Sequence, residues 1–161
     1  MQLLNITRHE EFEMAHILPG YRGGCGNIHG HSYKIEVTVT APQSDFFGML
    51  MDFKDLKKAI NACVPDHRIV LSHLATTEGT VEADIKKVLD KWGLCYEVYP
   101  DYTTAENMCS FLGLLIEQYI HNEMNYGNEV QVTKVKLWET TNSYATWTKH
   151  YAFGESEDEN E

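Results

Sequence analysis

Two stretches near the start of the chain alternate apolar and polar residues with period two, and three later ones repeat apolar residues at helical spacing. In residues 4–16, Phe12, Met14 and His16 share one phase. In residues 29–41, Tyr33, Ile35, Val37 and Val39 share one phase, while Lys34, Glu36, Thr38 and Thr40 take the other. Successive strand side chains point to opposite faces, so each stretch predicts a strand with one buried side. His29 and His31 fall in the core-facing row of the second strand, and His16 closes that of the first.

Asp52 is placed to cap a helix running through Cys63, with Phe53, Leu56, Ala59, Ile60 and Cys63 as its apolar stripe and Pro65 marking its end. Residues 81–92 predict a second helix, with Val81, Ile85, Val88, Leu89 and Trp92 on one face and Gly93 closing it. Its acids come early and its lysines late, which suits the helix dipole. Residues 94–99 fit a short strand. The clearest helix is 104–122, opened by Thr103-x-x-Glu106 as a capping box. Strands at 129–140 and 146–153 follow. Val130 and Val132 fall out of phase with Val135 and Leu137, which predicts a bulge near Thr133. The class is α+β: a four-stranded antiparallel sheet with helices packed on one face.

The 161 residues suit one domain, residues 1–154, followed by an acidic tail at 155–161 with five acids in seven positions. A net charge of −11 argues against nucleic-acid binding. No apolar run is long enough to cross a bilayer, and no signal peptide is evident, so a cytoplasmic location is expected. The four cysteines show no C-x-x-C spacing and read as free thiols.

The chemistry concentrates in a few places. His16, His29 and His31, three inward-facing imidazoles at strand ends, predict a His₃ metal site with an open position, the arrangement of catalytic Zn²⁺. Cys25, four residues ahead of His29 in a loop with four glycines, is a candidate base or nucleophile. Asp66-His67 can form a relay in which the carboxylate orients the imidazole. Glu139 shares the phase of Val135 and Leu137. An inward carboxylate there must meet a cation or accept N–H donors from a ligand; a bulge or edge position would turn it outward instead.

Taken in order, Phe12-Glu-Met-Ala-His16, Cys25-x-x-x-His29-Gly-His31-Ser-Tyr33, Met51-Asp52-Phe53-x-x-Leu56-Lys57, Asp66-His67, Thr104-Ala105-Glu106-Asn107 and Trp138-Glu139-Thr140 resemble the motifs of the 6-pyruvoyl- and 6-carboxytetrahydropterin synthase family. The three-residue spacer between Cys25 and His29, and Asp52-Phe53, resemble the carboxy branch, which serves queuosine synthesis. The chain departs from the family at Pro65 and Ser72, and residues 74–102 are longer than in compact members.

The resemblance implies a T-fold whose sheets join into a barrel, a hexamer built as a dimer of trimers. It implies a lyase acting on 7,8-dihydroneopterin triphosphate, with Zn²⁺ on His16, His29 and His31. Cys25, Asp66 and His67 would be catalytic, and Glu139, Thr104, Glu106 and Phe53 would contact the pterin. Asp66, His67 or Glu139 would act on a neighbour's zinc. The carboxy branch yields 6-carboxytetrahydropterin, acetaldehyde and triphosphate. The sister reaction eliminates triphosphate to give 6-pyruvoyl-tetrahydropterin, and a non-catalytic pterin-binding protein is the reading outside enzymology. Arg22 and Arg68 are candidate triphosphate contacts.

Overall fold

A computed structural model describes residues 2–44 and 47–152. The acidic tail expected at 155–161 lies outside the described residues. The elements are β1 (Leu3–His16), β2 (His29–Pro42), α1 (Phe53–Cys63), β3 (Arg68–Leu71), α2 (Val81–Trp92), β4 (Tyr96–Val98), α3 (Ala105–Met124), β5 (Gln131–Thr140) and β6 (Ser143–Thr148). A single turn of 3-10 helix at Gly24–Gly26 carries Cys25, and another at His73–Thr76 leads into α2.

The sheet corrects the expected count. It has six strands in the order β4-β3-β1-β2-β5-β6, and it is mixed rather than wholly antiparallel. The antiparallel core of β1, β2, β5 and β6 is the one the alternation predicts. The added strands β3 and β4 run parallel to β1 and to each other, and β3 touches β1 only at Met14 and Ala15. The last strand is also earlier than expected, at Ser143–Thr148, because it pairs tightly back on β5 through Trp138–Tyr144 and Thr140–Ser143.

β1 and β2 pair along their whole length, and the last residue of β1, His16, is the register partner of the first residue of β2, His29. This brings the first histidine beside the H-x-H pair. The predicted bulge is present: Thr38 pairs with Lys134 and Val39 with Val132, leaving Thr133 unpaired in the ladder. Doubling one residue against none resets the phase so that Val132, Val135 and Leu137 are all buried.

α1 and α3 lie on one face of the antiparallel core. Leu56, Ala59 and Ile60 of α1 and Met108, Leu112, Ile116 and Ile120 of α3 meet Tyr33, Ile35, Val37 and Leu137 in one buried cluster. Asp52 caps α1 by accepting the Lys54 N–H at 2.8 Å. α2 departs from expectation. Of its predicted apolar stripe, Ile85 and Leu89 pack inward, against a separate small cluster of Ile17, Leu71 and Ala75, while Val81, Val88 and Trp92 face outward. Gly93 ends it in the left-handed region at φ 64°.

Candidate metal centre and its two cavities

The ends of β1 and β2 bring His16, His29 and His31 together so that one ring nitrogen of each lies within 4.8 Å of the others. Two of the rings are fixed by backbone. His16 Nδ1 lies 2.8 Å from the Thr103 carbonyl and His29 Nδ1 2.8 Å from the Asn27 carbonyl. A carbonyl only accepts, so each Nδ1 carries the proton and each Nε2 presents a bare lone pair. His29 Nε2 and His31 Nε2 are buried with no hydrogen-bond partner. Buried polar atoms without partners are costly, and a divalent cation would satisfy these nitrogens together. Carbonyl anchoring of the far ring nitrogen is also how metal-bound imidazoles are oriented. His16 is almost wholly buried, and that burial lowers its pKa, which keeps the ring neutral as a ligand must be. The set fits Zn²⁺, with three protein ligands and room for a fourth.

Beside the cluster is a cavity of about 280 Å³ bordered by His16, Cys25, Tyr21, Thr104, Glu106, Glu139 and Tyr144. The glycines of the Cys25 loop have a specific use here. A Cβ on Gly26 would run into the Tyr21 carbonyl closer than contact allows, so only glycine lets the turn close under Cys25. The Leu18 N–H donates to the Cys25 carbonyl at 2.8 Å and fastens the turn to the end of β1. Glu139 does point inward. Its Oε1 lies 3.6 Å from both His16 Nε2 and His31 Nε2 and accepts the Tyr33 hydroxyl at 3.2 Å. Burial first, and then the Glu139 carboxylate, raise the Tyr33 pKa, so the phenol stays protonated and donating.

The start of α3 corrects the expected capping box by one residue. Thr104 is the cap, and Thr103 is buried, its carbonyl holding His16 and its hydroxyl donating to the Ile17 carbonyl at 3.1 Å. Thr104 and Glu106 both border the cavity. Phe53, at the first turn of α1, is half exposed and does not border it.

His67 borders a second cavity, with Glu13, Gly30, His31, Ser32 and Arg68, and Asp66 stands behind His67, paired with its ring. The cavity meets the metal cluster only at His31, and neither Cys25 nor Glu139 lines it. Asp66 Oδ1 accepts the Glu13 N–H at 2.9 Å and lies 2.9 Å from His67 Nδ1. The Glu13 N–H, and after it His67, hold the Asp66 carboxyl below its ordinary range. His67 sits at φ 55°, an unusual backbone for a residue other than glycine. Its N–H donates to the Glu13 carbonyl at 2.7 Å, which clamps the peptide while the ring stays largely exposed. Arg68 is engaged by Glu97 at 3.0 Å, and Arg22 is exposed.

A family model described as 6-pyruvoyl tetrahydropterin synthase matches residues 5–150. The chain belongs to this family. Among curated relatives, the 6-carboxy-5,6,7,8-tetrahydropterin synthase of Haemophilus influenzae is 27% identical, covering 90% of this chain and 99% of that one. The enzyme of the same name from Rickettsia bellii is 30% identical, covering 88% of this chain and 98% of that one. In three dimensions, the 6-pyruvoyl tetrahydropterin synthase of Caenorhabditis elegans matches with a TM-score of 0.62 at 20% identity, over 93% of this chain and 98% of that one. That of Plasmodium vivax gives 0.67 at 15% identity, over 92% and 99%. These likenesses are in fold, and the fold is the α+β T-fold that the resemblance implies.

Within this family frame, the structure draws His16, Cys25, His29, His31, Thr104, Glu106 and Glu139 to one side and leaves Asp66, His67 and Phe53 apart. Two contributors were not evident from the sequence as site residues. Tyr33 shares the strand phase of His31, and that phase was its available signal. The Thr103 carbonyl acts through backbone, which no side-chain pattern announces.

Proposed function

We propose that this protein is a zinc-dependent lyase that converts 7,8-dihydroneopterin triphosphate to 6-carboxy-5,6,7,8-tetrahydropterin, acetaldehyde and triphosphate. The observation that carries the reading is the convergence of ring nitrogens from His16, His29 and His31, those of His29 and His31 without a partner, beside a cavity that also holds Cys25 and Glu139. Zn²⁺ held by the three imidazoles would bind the side-chain hydroxyls of the substrate and polarise the developing carbonyl. Cys25 takes up and returns protons on that side chain. Glu139 accepts the 2-amino and ring N–H groups of the pterin, and Tyr33 steadies it. Thr104 and Glu106 line the same cavity and complete the pterin pocket. His67, oriented by Asp66, makes the second proton transfer.

His67, paired with Asp66, borders a different cavity from Cys25, which supports assigning the pair to a neighbouring copy's site. We therefore take the working enzyme to be the hexameric T-fold barrel, with residues 1–154 as its single catalytic domain. The β4 and β6 ends of the sheet are open edges that favour such joining. Phe53, half exposed at the start of α1, would then serve the pterin across the same interface. Arg22 is free to meet the triphosphate, whereas Arg68 would first have to leave Glu97. Four free cysteines and the absence of a membrane-crossing helix among the described residues support a cytoplasmic enzyme working in the queuosine pathway.

The sister reaction has a specific observation in its favour, since the matched family model bears the 6-pyruvoyl name. Mass-spectrometric product analysis of the zinc-loaded protein separates the two. Acetaldehyde with 6-carboxytetrahydropterin, lost in Cys25→Ala, upholds the carboxy assignment. Accumulation of 6-pyruvoyl-tetrahydropterin overturns it in favour of the sister activity. Zinc binding without turnover of this substrate favours a pterin-binding protein.

A further inference from the structure

α2 is held from one side only. Ile85 and Leu89 meet Ile17, Leu71 and Ala75. Its wholly buried Glu82 accepts the Ser72 N–H at 2.7 Å and the Ser72 hydroxyl at 2.5 Å. These contacts fix the helix firmly enough that its outer face is a defined surface rather than a loose one.

That outer face is apolar. Val81, Val88 and Trp92 recur at i, i+7 and i+11, one stripe along the helix, and Leu94 follows directly on the Gly93 cap. Each of the four exposes more than half of its surface. Single exposed apolar residues are ordinary, but a contiguous row ending in an exposed tryptophan marks a contact surface.

The charges beside the row suggest what covers it. Asp84 lies near the N-terminal end, where its exposed carboxylate already accepts from Lys87 of the same helix at 3.0 Å and has room for a second cation, and Lys91 lies toward the C-terminal end. Lys91 has no carboxylate within salt-bridge distance among the described residues; its ammonium lies 5.5 Å from the Trp92 ring. A second α2 laid antiparallel, with the two-fold axis between Lys87 and Val88, matches this pattern to itself. Val81 meets Leu94 of the second copy, Asp84 meets its Lys91, and Trp92 reaches its first turn. Opposed helix dipoles add to the match, and closed two-fold contacts of this isologous kind are the commonest in homo-oligomers.

We propose that the exposed α2 face is a homotypic interface that joins two copies of this chain through antiparallel α2 helices. The inference is independent of the reaction assigned above, since α2 borders neither cavity of the site. The test is the molar mass of zinc-loaded protein by sedimentation equilibrium at micromolar concentration. Trp92→Glu and Val88→Glu should each halve the mass of the assembly while zinc content and far-ultraviolet circular dichroism stay as in the parent. In a Cys95→Ser background, Val81→Cys combined with Leu94→Cys should give an oxidised dimer on a non-reducing gel, and the same protein bearing Val81→Cys alone should not. An unchanged mass in both glutamate variants overturns the interface. A halved mass without the cross-link assigns the face to some other surface of the partner and overturns the antiparallel pairing.

Discussion

The histidine cluster and the Asp66–His67 pair are both built on histidine beside a strand end, yet they are opposite in physical character. His16 is buried, fixed by a carbonyl and directed at its partners, whereas His67 is largely exposed, held through its backbone with its ring turned by Asp66. The first group is complete within one chain. The second is oriented but faces a cavity that lacks Cys25 and Glu139. A buried, backbone-anchored site suits a bound ion, which needs fixed ligands. An exposed, oriented pair suits chemistry that is finished only when another surface arrives.

The contrast can be broken at several points. The largest effect is expected at the cluster. His29→Ala should lose at least about 100-fold in zinc affinity, more than the 10–100-fold typical of losing an outer-shell partner, and turnover should fall to background. Metal analysis after dialysis checks this; retention of stoichiometric zinc would remove His29 from the ligand set. His67→Ala should behave differently, keeping its zinc while kcat falls by roughly 10²–10⁴-fold, the usual range for a lost acid–base group. Loss of zinc in that variant would erase the distinction between the two regions.

Glu139→Gln should have a smaller effect. Losing a charged hydrogen-bond acceptor costs about 1.5–3 kcal/mol, so KM should rise by roughly ten- to a hundredfold with zinc retained. A kcat effect with unchanged KM would argue against a pterin anchor. The smallest effects concern thiols. Burial pushes Cys63 up to about 12 and Cys109 up to about 11, so both remain thiols at pH 8. Only thiolates alkylate readily. Iodoacetamide should therefore modify exposed Cys95 ahead of Cys63 and Cys109, which it reaches only on unfolding; peptide mass mapping reads this directly.

Much of this was legible in the sequence because alternation and helical spacing are properties of single elements. The β1 and β2 phases correctly predicted three inward imidazoles, and the phase break at Thr133 predicted its bulge. β3 was not legible. Its four residues, Arg68–Leu71, carry little periodicity, and it pairs with β1 at two positions only, so tertiary contact rather than local pattern makes it a strand. The same limit applies to α2. Its apolar spacing was visible, but the sequence could not show that the sheet covers Ile85 and Leu89 and leaves Trp92 bare. The cap of α3 shifted by one residue because Thr103 is recruited to hold His16, a contact 87 positions away in the chain. The separation of Asp66–His67 from Cys25 follows from the fold around Glu13 and a left-handed backbone at His67, neither of which the dipeptide itself displays.

The central claim is that the site is completed across a subunit boundary, with the metal, Cys25 and Glu139 from one copy and Asp66 and His67 from another. Subunit mixing tests it most directly. Cys25→Ala and His67→Ala proteins, each inactive alone, are unfolded, mixed, refolded with zinc and assayed on 7,8-dihydroneopterin triphosphate. The account predicts recovery of up to about a quarter of parental activity, because random assembly of symmetric oligomers places an intact Cys25 beside an intact His67 at about one interface in four. Parental protein refolded in the same way should regain its activity. No recovery in a mixture whose hetero-oligomers are verified by native mass spectrometry would contradict the account and place both residues in the site of a single chain.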